Sequence, residues 1–103
     1  MTTDESIKPV YNLRLYITGA TPNSSKAINN TKAFCEKYLA GRYELEIIDV
    51  YQQPLIAREE QIIALPLLLK LHPLPVKRLI GNMSDTVKMG KGLDLHEINF
   101  TDE

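Results

Sequence analysis

A strand–helix–strand pattern in the first half of the chain does most to limit its possible folds. Residues 10–17 read VYNLRLYI, which puts Tyr11, Leu13, Leu15 and Ile17 on one strand face and Asn12 and Arg14 on the other. Gly19 ends that strand. Thr21 is placed to cap a helix, and Pro22 fits the first helical position, where a missing N–H costs little. Ile28, Thr31, Cys35 and Tyr38/Leu39 then recur at helical spacing, and Gly41 supplies the stop. Residues 43–50, YELEIIDV, read as a second strand whose apolar end predicts burial on both faces. A βαβ unit of this kind joins two parallel strands by a right-handed crossover, so the chain falls in the α/β class.

The second half gives conflicting local signals. Pro54 can start a helix running through Gln61, Ile62 and Ile63, which Pro66 then breaks. Residues 67–71, LLLKL, are strong helix formers with no β-branched member, although a sheet extending the βαβ unit needs a strand here. Residues 76–80, VKRLI, suit a short helix or a hairpin strand equally well. Ser84-Asp85 marks a helix start, but Gly90 and Gly92 interrupt the helical run beyond it. Local preference and any one topology therefore disagree between Pro66 and Leu95.

With 103 residues there is room for one domain. Twelve basic against 13 acidic side chains leave no cationic excess, which argues against nucleic acid as a partner. The polar, acidic start MTTDESIKPV resembles no secretory or transit peptide, and the most apolar stretch, residues 62–69, is too short to span a bilayer. The expectations are therefore no membrane role and a cytoplasmic location. Cys35, the single cysteine, has apolar neighbours and reads as a small buried hydrophobe.

The residues hold little catalytic chemistry. MGKGLD at residues 89–94 lacks the spacing and Lys-Ser/Thr ending of a phosphate loop. His72 and His96 stand far apart without ligand-spaced companions, so neither a metal site nor any other cofactor is expected. Asp49 reads as a strand-end residue capping the next turn, and Glu59 and Glu60 as solvated surface. A βαβ start followed by Pro66 just before an apolar strand resembles thioredoxin, whose redox motif lies between the first strand and first helix. Here residues 18–24, TGATPNS, contain no cysteine, so thiol chemistry at that position is excluded.

A redox-dead layout of this kind resembles the KaiB family. The similar segments are LRLYITGATPNSSKA (residues 13–27), YELEIIDVYQQPLIA (43–57), IALP (63–66), PLPVKRLIG (73–81), Ser84-Asp85 and GLDL (92–95). They run in order from about Tyr11 to Leu95. The resemblance implies a non-enzymatic domain over residues 10–97, flanked by a flexible N-terminus (1–9) and a C-terminal tail (98–103). It implies binding to KaiC, an ATPase and autokinase, whose phosphorylation the domain would modulate in a clock, timing or stress system.

It also implies two folds: a resting homotetramer (or dimer) of βαββααβ order, and a monomer of thioredoxin-like βαβαββα order that docks on KaiC. We expect the first order at rest, with residues 61–95 rearranging. The partner-binding or fold-switch residues so implied are Tyr11, Lys26, Tyr43, Glu44, Glu46, Gln61, Pro66, Pro73, Pro75, Gly92 and Asp94. Gly92→Ala and Asp94→Arg are expected to favour the monomer. Three features depart from the usual family pattern. Pro73-Leu74-Pro75 replaces a run of three prolines, Glu44 and Glu46 stand where a small residue and a lysine are common, and Gln61 replaces a lysine. The reversed charge argues against KaiA as a partner. A chain with its own Met1 and no trailing linker is expected to act free-standing rather than as a kinase sensor module.

Overall fold

The computed structural model describes residues 10–59 and 65–93. Its elements run β1 (Tyr11–Ile17), α1 (Pro22–Tyr38), β2 (Tyr43–Asp49), α2 (Pro54–Glu59), β3 (Leu67–His72), β4 (Lys77–Ile80) and α3 (Thr86–Gly92). This is the βαβαββα order, so the resting order expected from the sequence is not the one present. The single α/β domain and the βαβ start are as read.

The first half forms as its local signals direct. Thr21 lies in extended backbone and its hydroxyl accepts from the Ser24 N–H at 3.1 Å, with Pro22 opening α1. Gly41, at φ +79°, takes the left-handed turn that lets the chain reverse into β2. β1 and β2 then pair in parallel from Tyr11↔Tyr43 to Ile17↔Asp49.

The second half forms against its local preference. LLLKLH becomes β3, antiparallel to β1, with Leu67, Leu68 and Leu69 all buried. Leucine's helical preference is worth a few tenths of a kcal/mol per residue, whereas burying one side chain is worth about 2 kcal/mol. A site in the middle of the sheet covered on both faces therefore wins. β4 comes next as a short antiparallel neighbour, and Asp85 caps α3 by accepting from the Lys88 N–H at 3.0 Å. Leu65–Pro66, His72–Pro73 and Leu74–Pro75 are cis.

The strand order is β2-β1-β3-β4. On one face Leu13, Leu15, Ile17 and Leu68 pack with Phe34, Cys35 and Leu39 of the α1 region and Met89 and Leu93 of the α3 region. On the other, Tyr16, Ile48, Val50, Leu67 and Leu69 form a second cluster with Leu65 and Leu71 against it. The register lines residues up in rows across the sheet. One row runs Glu46–Arg14–Leu69–Arg78, the next along that face Ile48–Tyr16–Leu67–Ile80, and between them on the opposite face Ile47–Leu15–Leu68–Leu79.

Candidate functional site

The loop after β1 sits where thioredoxins carry their thiols, and here it is a hydrogen-bonded turn of small polar groups. Ser24, buried at the start of α1, has its Oγ accepting from the Thr18 N–H at 3.3 Å and 2.9 Å from the Thr21 hydroxyl. Asp49, at the end of β2, accepts through one Oδ1 from the Gly19 N–H at 3.1 Å and the Tyr51 N–H at 2.9 Å. The reading of Asp49 as a turn cap holds, and the same oxygen also ties down the β1–α1 loop. Gly19 has φ +62°, and a Cβ there would meet the Tyr51 ring at 3.4 Å.

The thiol of Cys35 is remote from this loop in character as well as place. It is fully buried on α1, and burial, with Glu36 adding to it, pushes its pKa up to about 12. It is a packing residue, as its neighbours in sequence suggested.

The residues singled out from the sequence do not converge on one cleft. Tyr11 is buried, with Arg42 and Lys70 5.8 and 6.0 Å from its ring centre. Lys26 is exposed on α1. Tyr43 donates its hydroxyl to Glu36 at 2.5 Å, and this bond is the first cause of a pKa raised to about 12. Glu44 and Glu46 are exposed on the outer strand β2, Glu46 lying 3.4 Å from Arg14. Pro66 is buried, and its carbonyl accepts from the Gly81 N–H at 3.0 Å, prolonging the β3–β4 ladder. Pro73 and Pro75 form the β3–β4 turn. Gly92 lies against β4: a Cβ there would come 2.3 Å from Leu79 Cδ2. Gln61 and Asp94 fall outside the described residues.

Sequence reading missed three features. Lys70 is 1% exposed in β3, where the run of leucines hid its burial. Asn30 donates to the Asn82 carbonyl at 2.8 Å and so links α1 to the loop before α3. Arg14 faces Glu46 across β1 and β2, which the alternation of the two strands could have shown had their register been known.

Among the described residues no group of three His, Cys, Asp or Glu side chains could hold a metal ion. What the geometry offers is surface, namely two outer strands, an ordered β1–α1 loop and exposed apolar side chains at Leu55, Leu74, Val76 and Ile80. Among the described residues no helix is long and apolar enough to cross a membrane.

Residues 14–95 match the KaiB domain. The chain belongs to the KaiB family. The KaiB circadian clock oscillator protein of Prochlorococcus marinus strain MED4 is 47% identical over 88 residues, covering 85% of this chain and 82% of that protein. The corresponding protein of Synechococcus elongatus PCC 7942 is 46% identical over 90 residues, covering 87% and 88%. KaiB proteins are non-enzymatic regulators, which accords with a redox position empty of cysteine.

Solved structures agree with the fold. The N-terminal domain of Synechococcus elongatus SasA superposes with a TM-score of 0.69 at 20% identity, covering 97% of this chain and 98% of that domain. Mitochondrial thioredoxin 3 of Saccharomyces cerevisiae gives 0.66 at 15% identity, covering 84% and 79%. This KaiB-family chain is thus thioredoxin-like in structure.

Proposed function

We propose that this chain is a cytoplasmic clock-type regulator that binds a KaiC-type ATPase and autokinase and modulates its phosphorylation state in a circadian, timing or stress-adaptation system. The observation that carries the reading is the element order. Within the KaiB resemblance, βαβαββα is the arrangement that docks on KaiC, and the described residues adopt it. The binding unit is taken as residues 10–97, with Lys26, Gln61 and the Pro66–Pro75 region among the candidate contacts. Glu44 and Glu46 make β2 acidic, which is the reason to leave KaiA out of the partner set.

Binding through a form that is only fractionally populated would lower apparent affinity by that fraction and slow the approach to equilibrium. The resting form is taken as a homotetramer, or a dimer, reached by rearranging residues 61–95. The test is size-exclusion of the purified protein with the KaiC-type hexamer of the same organism, incubated for hours and sampled over time, with KaiC phosphorylation followed alongside. Slow co-elution with an altered phosphorylation course is expected. A chain that elutes apart from KaiC at every time point overturns the reading.

The exposed Leu55, Leu74, Val76 and Ile80 favour a second reading, a self-assembling protein without a KaiC partner. Self-association combined with no KaiC binding would select it.

A further inference from the structure

Two lysines meet where the second half of the sheet is held together. Lys70 of β3 is 1% exposed, and the β3–β4 register sets it directly opposite Lys77 of β4. Opposed residues of an antiparallel pair share a face, with Cβ atoms about 5 Å apart, and like charges so placed weaken the pairing. Lys77 is half-buried, so water and salt screen this repulsion only in part. On its other side Lys70 stands opposite Leu13 of β1, with its Nζ 6.0 Å from the centre of the Tyr11 ring. That ring attracts the ammonium, but Arg42 lies 5.8 Å from the same centre and shares it. Three cations thus gather around one end of the sheet.

Taking an ammonium out of water is costly even when it is paired, and replacing a buried ion by an apolar side chain of similar volume is often neutral or stabilising. The β1–β2 ladder carries no such cost: it runs through seven pairs and sets Arg14 against Glu46. The β3–β4 ladder has four pairs and sets lysine against lysine. We propose that Lys70, opposed by Lys77, is a conformational device: a buried charge that weakens the β3–β4 pairing and keeps this element order close to release. β4 and α3 are the parts it loosens, because both lie on the far side of that pairing from the frame of β1, α1 and β2.

On the regulatory reading above, on which this consequence rests, both lysines belong to the segment that rearranges. A costlier βαβαββα order is then a scarcer one, and apparent affinity for KaiC falls with its population.

The test is hydrogen exchange followed by mass spectrometry on the full chain, Lys70→Met, Lys77→Glu and the double variant, with no KaiC present. Far-UV circular dichroism checks that each variant keeps the parent's fold. Lys70→Met should slow exchange in β4 and α3 about tenfold, with the smallest change in β1, α1 and β2. Lys77→Glu leaves the core untouched and turns a like pair into an opposite one, so it should slow the same exchange about fivefold. In the Lys70→Met background that second gain should vanish, because the charge it answers is gone. Unchanged or faster exchange in Lys70→Met, or loss of its fold, overturns the proposal. So does a Lys77→Glu gain that is equally large in the Lys70→Met background. Slower exchange in both single variants, beside a parent that never binds KaiC, would keep the device and sink the regulatory reading, so the two fail separately.

Discussion

The two halves of this domain reach the same sheet by different routes. In residues 10–50 each local signal agrees with the final structure: alternation makes the strands, Thr21 and Pro22 start the helix, and Gly41 stops it. In residues 65–93 the structure overrides local preference, and a leucine run becomes the inner strand β3. Consistency across levels makes one fold dominant, and its loss in one segment lowers the gap to competing folds for that segment alone. The first half is therefore the frame, and the second is the part whose shape depends on the docking of that frame.

Core truncation tests this contrast most severely. Leu15 is fully buried in the middle of β1, between both halves. Leu15→Ala should cost about 3 kcal/mol in denaturant unfolding and lower protection from hydrogen exchange throughout. Leu79→Ala, on the outer strand, should cost less and loosen β4 and α3 first. Equal loss of protection across the chain in both variants would erase the distinction between the halves.

Alkali probes the frame by a different means. The folded pKa of Cys35 is raised from 9.0 to about 12, chiefly by burial. Below pH 9 the thiol is protonated whether the chain is folded or not, and this contribution to stability is fully present. Between about 9 and 12 the unfolded chain loses the proton first, so stability falls as pH rises. Denaturant midpoints should decline through that window, and Cys35→Ala should flatten the decline. A thiol reagent that modifies the native protein rapidly at pH 8 would contradict the burial on which this rests.

Caps give a smaller effect that differs in kind between the halves. Removing the Thr21 cap of the 17-residue α1 should cost about 1 kcal/mol of global stability. Asp85→Ala removes the matching bond of the seven-residue α3 and should show mainly as faster exchange near α3. The comparison weakens if Asp85→Ala lowers the global midpoint as much as Thr21→Ala does.

Gly92 gives the smallest net change and the sharpest one. Alanine in a helix is worth up to about 1 kcal/mol over glycine, but a Cβ at Gly92 would come 2.3 Å from Leu79 Cδ2, so Leu79 must move. The helical gain should be muted in the parent and appear in a Leu79→Ala background, with a coupling of about 0.5 kcal/mol or more in a double-mutant cycle. Strict additivity would mean that Leu79 yields freely and that Gly92 is not there for close packing.

How much could be read beforehand follows the same divide. β1, α1 and β2, the buried Cys35 and the capping role of Asp49 were legible because their causes lie within a few residues of each other. The β3 strand was not, since its cause is the sheet around it: Leu69 and Lys70 are strand residues because Arg14 and Leu13 are their partners. Of the candidate surface, Lys26, Glu44 and Glu46 were singled out through the family resemblance, and all three are exposed. Their placement relative to Arg78 needed the register. The βαββααβ order expected at rest drew on the same leucine-rich segment, which forms β3 in this structure.

The oxygen of Asp49 that holds both Gly19 and Tyr51 has a consequence for recognition. It fastens the turns after two neighbouring strands to each other, so the two present one contour instead of two independent loops. A partner that settles on such a contour has little backbone left to immobilise, and more of the contact energy remains as affinity. The position where related folds perform chemistry is thus well suited to being recognised by its shape.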